Sequence, residues 1–309
     1  MSHLFLFNRV MGLQLHIFKT HTDRKTSSYG DILTQHTDIH KIQTEMKKTL
    51  AIAGCGKLAG IVIDAMKKGL LDEYELTVLF SRSRESAERL AAVADEAGIG
   101  CRVADSFAEL LAAKPQYLVE AASPAAMREW ALPALNNKTS VVCLSVGAFA
   151  DDAFYAEVMD AASRNGVHVY VVSGATGGFD VLQTATLMGG ASARFFNEKG
   201  PDGLKGTSVY DESLRSEQRT VFEGSATEAI RMFPTKVNVT VAASRASVGP
   251  EKMHVTMQST PYFKGDTQRV EIRNPQVHAV VDIYSATAEI AGWSIVNTLR
   301  NISSPIVFV

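Results

Sequence analysis

The stretch Thr49-Leu50-Ala51-Ile52-Ala53-Gly54-Cys55-Gly56-Lys57-Leu58-Ala59-Gly60 decides the fold. Its first half is an apolar run long enough for one buried strand. Gly54, Gly56 and Ala59 follow at the spacing G-x-G-x-x-A. The first glycine lets the chain turn tightly out of the strand, and the second leaves bare backbone that a pyrophosphate can approach. The alanine is small enough for a helix to pack on the sheet. That helix, expected over 58–68, points its free N–H groups at the phosphates. Gly54, Gly56, Lys57 and Leu58 are therefore the expected cradle of a dinucleotide, NAD or NADP. A glycine pattern alone is a weak signal; a second strand expected at 75–80 supplies the βαβ context.

Outward from this point the chain alternates. Strands are expected at 49–53, 75–80, 117–120, 140–145 and 167–172, with helices over 58–68, 84–97, 106–113, 124–136 and 151–165. Such alternation predicts an α/β fold, a Rossmann-type doubly wound parallel sheet with helices on both faces. Ligands then sit at the carboxyl ends of the strands. The second strand ends in Ser81-Arg82-Ser83, with no acidic residue to hold ribose hydroxyls. Arg82 suits a 2′-phosphate, and equally suits a solvated loop. The next strand end, Glu120-Ala121-Ala122-Ser123-Pro124, offers small residues at Ala122 and Ser123 for the nicotinamide half of the cofactor. Glu120, at a buried strand end, needs hydrogen-bond partners. The glycines of Ser173-Gly174-Ala175-Thr176-Gly177-Gly178-Phe179-Asp180 allow backbone to face a ligand or to cross sharply between domains.

After Val181 the period changes. Strands are expected at 207–211, 254–259, 267–273 and 277–284, with helices over 225–232 and 286–300, which together predict a C-terminal α+β domain with a mixed sheet. The expected boundaries are an extension at 1–45, a dinucleotide-binding domain at 46–175, a substrate and dimerisation domain at 176–290, and a C-terminal helix and tail at 291–309. The extension carries five of the eight histidines without ligand spacing and reads as disordered or non-native, with Met46 as the natural start.

Composition narrows the function. A net charge of −2 is opposed to a nucleic-acid partner, and no apolar run reaches the length of a membrane span. The three cysteines have no metal-ligand spacing, which fits reduced thiols in a cytoplasmic protein with no metal.

Several stretches together resemble the L-aspartate dehydrogenase family. They are Gly54-Cys55-Gly56, Glu120-Ala121-Ala122-Ser123, Ser145-Val146-Gly147-Ala148, 173–180, and above all Phe222-Glu223-Gly224-Ser225-Ala226-Thr227-Glu228-Ala229-Ile230 running on to Asn238-Val239. The resemblance spans roughly 50–300. It implies NAD(P)-dependent deamination of aspartate to iminoaspartate, or the reverse amination, with small-molecule substrates; separately, an exposed final strand or helix is the expected support for a homodimer. By that resemblance Ala175 and Asn238 contact the cofactor; Asn238 alternatively caps a helix. Gln268 falls where the family carries its catalytic histidine, and an amide cannot take a proton near neutral pH. The resemblance therefore also admits a reductase of another imine or keto acid, or a nicotinamide-binding protein without turnover. His254 and His278 are the alternative imidazoles on strands read as neighbours, and Lys264 or Arg269 are candidate partners for a substrate carboxylate.

Overall fold

This computed structural model describes residues 47–234 and 237–308, so the expectation for 1–45 lies outside the described residues. The described chain belongs to one compact unit, Lys47–Val309. It holds two sheets.

The first sheet is parallel, in the order β3-β2-β1-β4-β5-β6. Its strands are β1 (Lys48–Ala53), β2 (Tyr74–Phe80), β3 (Arg102–Val103), β4 (Tyr117–Glu120), β5 (Ser140–Cys143) and β6 (Val169–Val171). The helices between them are α1 (Lys57–Lys67), α2 (Arg84–Glu96), α3 (Phe107–Ala112), α4 (Pro124–Asn136) and α5 (Asp152–Asn165). Leu50 to Ala53 are wholly buried, as strands covered on both faces must be. The strand order reverses between β1 and β4, which opens a crevice beyond Ala53 and Glu120, opposite each other in register. The two-residue β3 lacked any apolar run by which the sequence could announce it.

Helix α6 (Phe179–Leu187) leads into the second sheet, formed by β7 (Ser192–Lys199), β8 (Arg219–Ser225), β9 (His254–Ser259), β10 (Asp266–Arg273) and β11 (His278–Ser285). Its order is β11-β10-β7-β9-β8, with β7 and β9 parallel and the other pairs antiparallel. Between β8 and β9 lie α7 (Ala226–Met232) and α8 (Asn238–Arg245). A capping box opens α7: Ser225 accepts from the Glu228 N–H while the Glu228 carboxylate accepts from the Ser225 N–H. The strand expected at 207–211 is absent; that segment is a turn between the short 3-10 helices Pro201–Leu204 and Glu212–Arg215. Asp211 explains it, capping the second of these through the Ser213 N–H.

Alternation sorts the second sheet's side chains by face. On the inner face, Val270, Phe195 and Val255 form one row across β10, β7 and β9. The row beside it holds Gln268, Asn197 and Met257, and the next holds Ser285, Asp266, Lys199 and Ser259. The face thus grades from apolar core to polar floor. Helix α9 (Glu289–Ser303) then returns to the first sheet. Ile295, Val296 and Leu299 are buried with Leu50, Ile52, Val62 and Ile63. A Cβ on Gly292 would lie 2.5 Å from the Ile61 Cδ1 atom, so glycine sets the closeness of α9 to α1.

Candidate active site

Three groups of side chains come to the carboxyl ends of the first sheet. Gly54, at φ +96°, makes the turn out of β1; a Cβ there would sit 2.6 Å from the Ala121 carbonyl, so only glycine fits. Gly56 caps α1 without any side-chain hydrogen bond, and the helix's first turn holds no acidic residue. A Cβ on Gly56 would meet nothing within 4 Å. Bare N–H groups, open space and exposed Lys57 beside them fit the diphosphate of a dinucleotide. Leu58, half-buried, follows in the same turn.

Arg82 lies just beyond β2. Its guanidinium bonds Glu129 at 2.5 Å and sits 5.9 Å from the centroid of the Trp130 ring, on α4. Ser83 is committed as the N-cap of α2, accepting from the Ser86 N–H at 3.3 Å.

The third group is organised by Glu120, a wholly buried carboxylate. Its Oε1 accepts from the N–H groups of Ala122 at 2.9 Å and Ser123 at 3.2 Å, and its Oε2 accepts from the Ser145 N–H at 3.0 Å. One side chain therefore ties the loop after β4 to the loop after β5. Burial pushes its carboxyl above the usual carboxylate range, and the donated bonds partly offset this. Ser123 itself caps α4 by accepting from the Ala126 N–H, so its hydroxyl serves the helix while its backbone serves Glu120.

The loop after β5 reaches the second sheet. The Gly147 N–H donates to Asn238 Oδ1 at 2.8 Å. Asn238 is the first residue of α8 and does not cap it, since Val237 occupies the cap position; the alternative reading of Asn238 as a helix cap is corrected by this contact. Ala175 and Asn238 line one cavity of about 170 Å³ together with Gln268, Asn197, Lys199 and Asp266. Phe195 and Met257 supply apolar wall. Gln268 is 3% exposed, and its Oε1 has no hydrogen-bond partner. Asp266 lies two residues earlier on the same face of β10; its Oδ1 accepts from Asn197 Nδ2 at 2.6 Å and its Oδ2 pairs with Lys199 Nζ at 3.3 Å. A second cavity of about 600 Å³ adjoins the first, sharing Lys199 and Asp266 and lined also by Arg215, Tyr262 and Lys264.

The cavity thus gathers Ala175, Asn238 and Gln268, while Gly54, Gly56, Lys57, Leu58, Arg82, Ala122 and Ser123 lie outside its lining, near the ends of β1, β2 and β4. Of the candidate carboxylate partners, Lys264 reaches the adjoining cavity, but Arg269 pairs with Asp282 at 3.3 Å on the opposite, exposed face. His254 and His278 are not on neighbouring strands: β7 and β10 separate them. Each is exposed and faces a glutamate, Glu223 and Glu271, both at 3.2 Å. Lys199 and Asn197 escaped the sequence reading. The signal was the alternation Ala193, Phe195, Asn197, Lys199 along one face of Ser192–Lys199. Among the described residues no group of three or more His, Cys, Asp or Glu is placed to hold a metal, and no helix is long and apolar enough to cross a membrane.

A family model described as the NAD-binding domain of homoserine dehydrogenase matches residues 54–172, and one described as the C-terminal part of aspartate dehydrogenase matches residues 180–302. An L-aspartate dehydrogenase of Methanocella arvoryzae is 31% identical over 227 residues, covering 66% of this chain and 84% of that protein. One from Methanococcus maripaludis is 26% identical over 266 residues, covering 83% of this chain and 97% of its own length. The crystal structure of aspartate dehydrogenase from Thermotoga maritima superposes with a TM-score of 0.65 at 26% identity, covering 85% of this chain and 99% of that one. With these relatives spanning both sheets, the chain belongs to the L-aspartate dehydrogenase family of NAD(P)-dependent oxidoreductases.

Proposed function

We propose that this protein oxidises the amino group of L-aspartate to an imine that water converts to oxaloacetate and ammonia, or runs the reverse amination. The observation that carries the reading is that Ala175, from the loop after β6, shares a cavity with Asn238 of α8 and with Gln268, Lys199 and Asp266 of the second sheet. A bound nicotinamide would supply the hydride acceptor. Gly54, Gly56, Lys57 and Leu58 would hold its diphosphate, and Ala122, Ser123, Ala175 and Asn238 its nicotinamide half. Arg82 supports acceptance of NADP, because a 2′-phosphate can displace the exposed Glu129 carboxylate as its partner. The first sheet with its crossover helices would act as the dinucleotide-binding domain, and the second as the substrate domain. The exposed β11, with Tyr284 at 58% exposure, supports assembly as a homodimer, and the reduced cysteines support a cytoplasmic setting.

A second reading has its own observation. Gln268 presents an amide where the resemblance expects an imidazole, which favours nicotinamide binding without turnover, or action on another imine or keto acid. Mixing the protein with NADPH or NADH, oxaloacetate and ammonia, and following cofactor absorbance, separates these. Oxidation of the cofactor supports the dehydrogenase. Cofactor binding without oxidation, over a panel of keto acids, sinks it and leaves the non-catalytic reading.

A further inference from the structure

Among the described residues, the cavity beside Gln268 is lined by two ionisable side chains, Lys199 and Asp266. They face each other across adjacent strands in register, and their side chains are 16% and 31% exposed. Such a pair, largely removed from water, attracts more strongly than one on the surface.

Counting bonds shows what the pair lacks. An ammonium has three donors, and among the described residues Lys199 Nζ uses one, on Asp266 Oδ2. A carboxylate has about four acceptor sites, and Asp266 uses two, on Asn197 and Lys199. Spare donors and spare acceptors thus stand side by side on one small cavity. Gln268 adds an independent observation: a buried amide on the same cavity whose Oε1 is unpartnered. An unsatisfied buried polar atom is unfavourable unless a ligand or water completes it. A ligand that completes all three must itself carry an anionic acceptor next to a cationic donor.

We propose that Lys199 and Asp266 form the recognition pair for a zwitterionic amino acid, Lys199 taking the carboxylate and Asp266 the ammonium. The ligand lies antiparallel to the pair, so that each charge meets its opposite and the filled site stays electrically balanced. Asn197, 2% exposed, donates to Asp266 Oδ1 and so fixes that carboxylate at the cavity. A second carboxylate on the ligand extends into the adjoining cavity, toward Lys264.

This deepens the proposed function and rests on it for the choice of ligand, but it concerns binding, and binding tests it. The full chain, loaded with reduced cofactor so that no turnover occurs, is titrated calorimetrically with L-aspartate and with succinate, which lacks the ammonium. Asp266→Asn weakens aspartate roughly tenfold to a hundredfold and leaves succinate unchanged or tighter. Lys199→Met weakens both. Asp266→Glu restores part of the aspartate preference, which separates loss of charge from loss of fold. Equal losses for both ligands in Asp266→Asn, no loss in Lys199→Met, or no binding of L-aspartate or L-alanine by the unsubstituted protein at millimolar levels would overturn the proposal. Aspartate binding that depends on Asp266 without any turnover overturns the dehydrogenase and leaves this pair standing. Turnover with unchanged aspartate affinity in Asp266→Asn does the reverse.

Discussion

Asn238 Oδ1 accepts the backbone N–H of Gly147 at 2.8 Å, a contact between residues 91 apart in the chain. It joins the loop that follows β5 of the first sheet to the first turn of α8, which covers the second. A Cβ on Gly147 would lie 2.8 Å from that same oxygen and 3.1 Å from Pro124 Cγ. The loop, the helix and the proline that starts α4 are therefore fitted to one another at a single point.

Asn238→Ala removes the acceptor and leaves the buried Gly147 N–H without it. The expected cost is about 1–2 kcal/mol of stability, together with weaker nicotinamide binding. Gly147→Ala presses on the same contact from the other side and is expected to have the same sign in both measurements. Thermal unfolding and fluorescence titration with reduced cofactor check both. Unchanged cofactor affinity in the two variants would refute a role for this contact.

Glu120 gives a pH-dependent prediction. Burial raises its folded carboxyl above the unfolded value. The stabilisation linked to that shift is complete below the unfolded pKa and is lost as pH rises through the folded one. Glu120→Gln abolishes the titration, and its amide turns N–H toward one of the three backbone donors now bonded to the carboxylate. The variant is therefore expected to be less stable by about 1–3 kcal/mol, with the gap to the native protein narrowing as pH rises above the ordinary carboxylate range. Melting curves across pH measure that gap; a gap that widens with pH contradicts the assignment.

Arg82 can be tested by cofactor choice. Arg82→Ala removes the group placed to meet a 2′-phosphate and leaves α1 and its glycines untouched. NADP affinity is expected to fall roughly tenfold to a hundredfold while NAD affinity changes little. Equal effects on both cofactors would mean that Arg82 serves only its contacts with Glu129 and Trp130.

The thiols should be silent. Burial pushes Cys55 up to about 12, with Cys101 adding to the shift and a backbone hydrogen bond at Phe80 opposing it. Burial likewise pushes Cys101 up to about 11, and raises Cys143, beside Glu120, well above the ordinary thiol range. The thiolate is the reactive form, so alkylation at neutral pH is expected to be slow in the native protein and complete for all three cysteines after unfolding. Rapid native modification at Cys55, inside the dinucleotide turn, would show that this turn opens.

The first sheet was legible because its signals are local. Val141 to Cys143 form an unbroken apolar run, Pro124 and Ser123 mark a helix start, and Gly54 and Gly56 lie within three residues of each other. The second half was harder to read. Arg219–Ser225 is a strand outside those expected, and it ends in the capping box that starts α7. Ser192–Lys199 went unread because polar Asn197 and Lys199 occupy inward positions where a core strand would show apolar side chains.

The sequence by itself determined the glycine turn between the first strand and its helix, because a tight turn, bare backbone and a small packing residue are properties of single positions a few residues apart. It also determined family membership, through stretches whose order is fixed along the chain. Only the tertiary structure decided that Lys199 pairs with Asp266 beside Gln268, that Glu120 ties two loops together, and that α9 returns to the first sheet. Those relationships depend on strand register and on which face each side chain occupies. A shift of one residue in the pairing of β7 with β10 would turn Lys199 away from the cavity, and nothing local to either strand records that register.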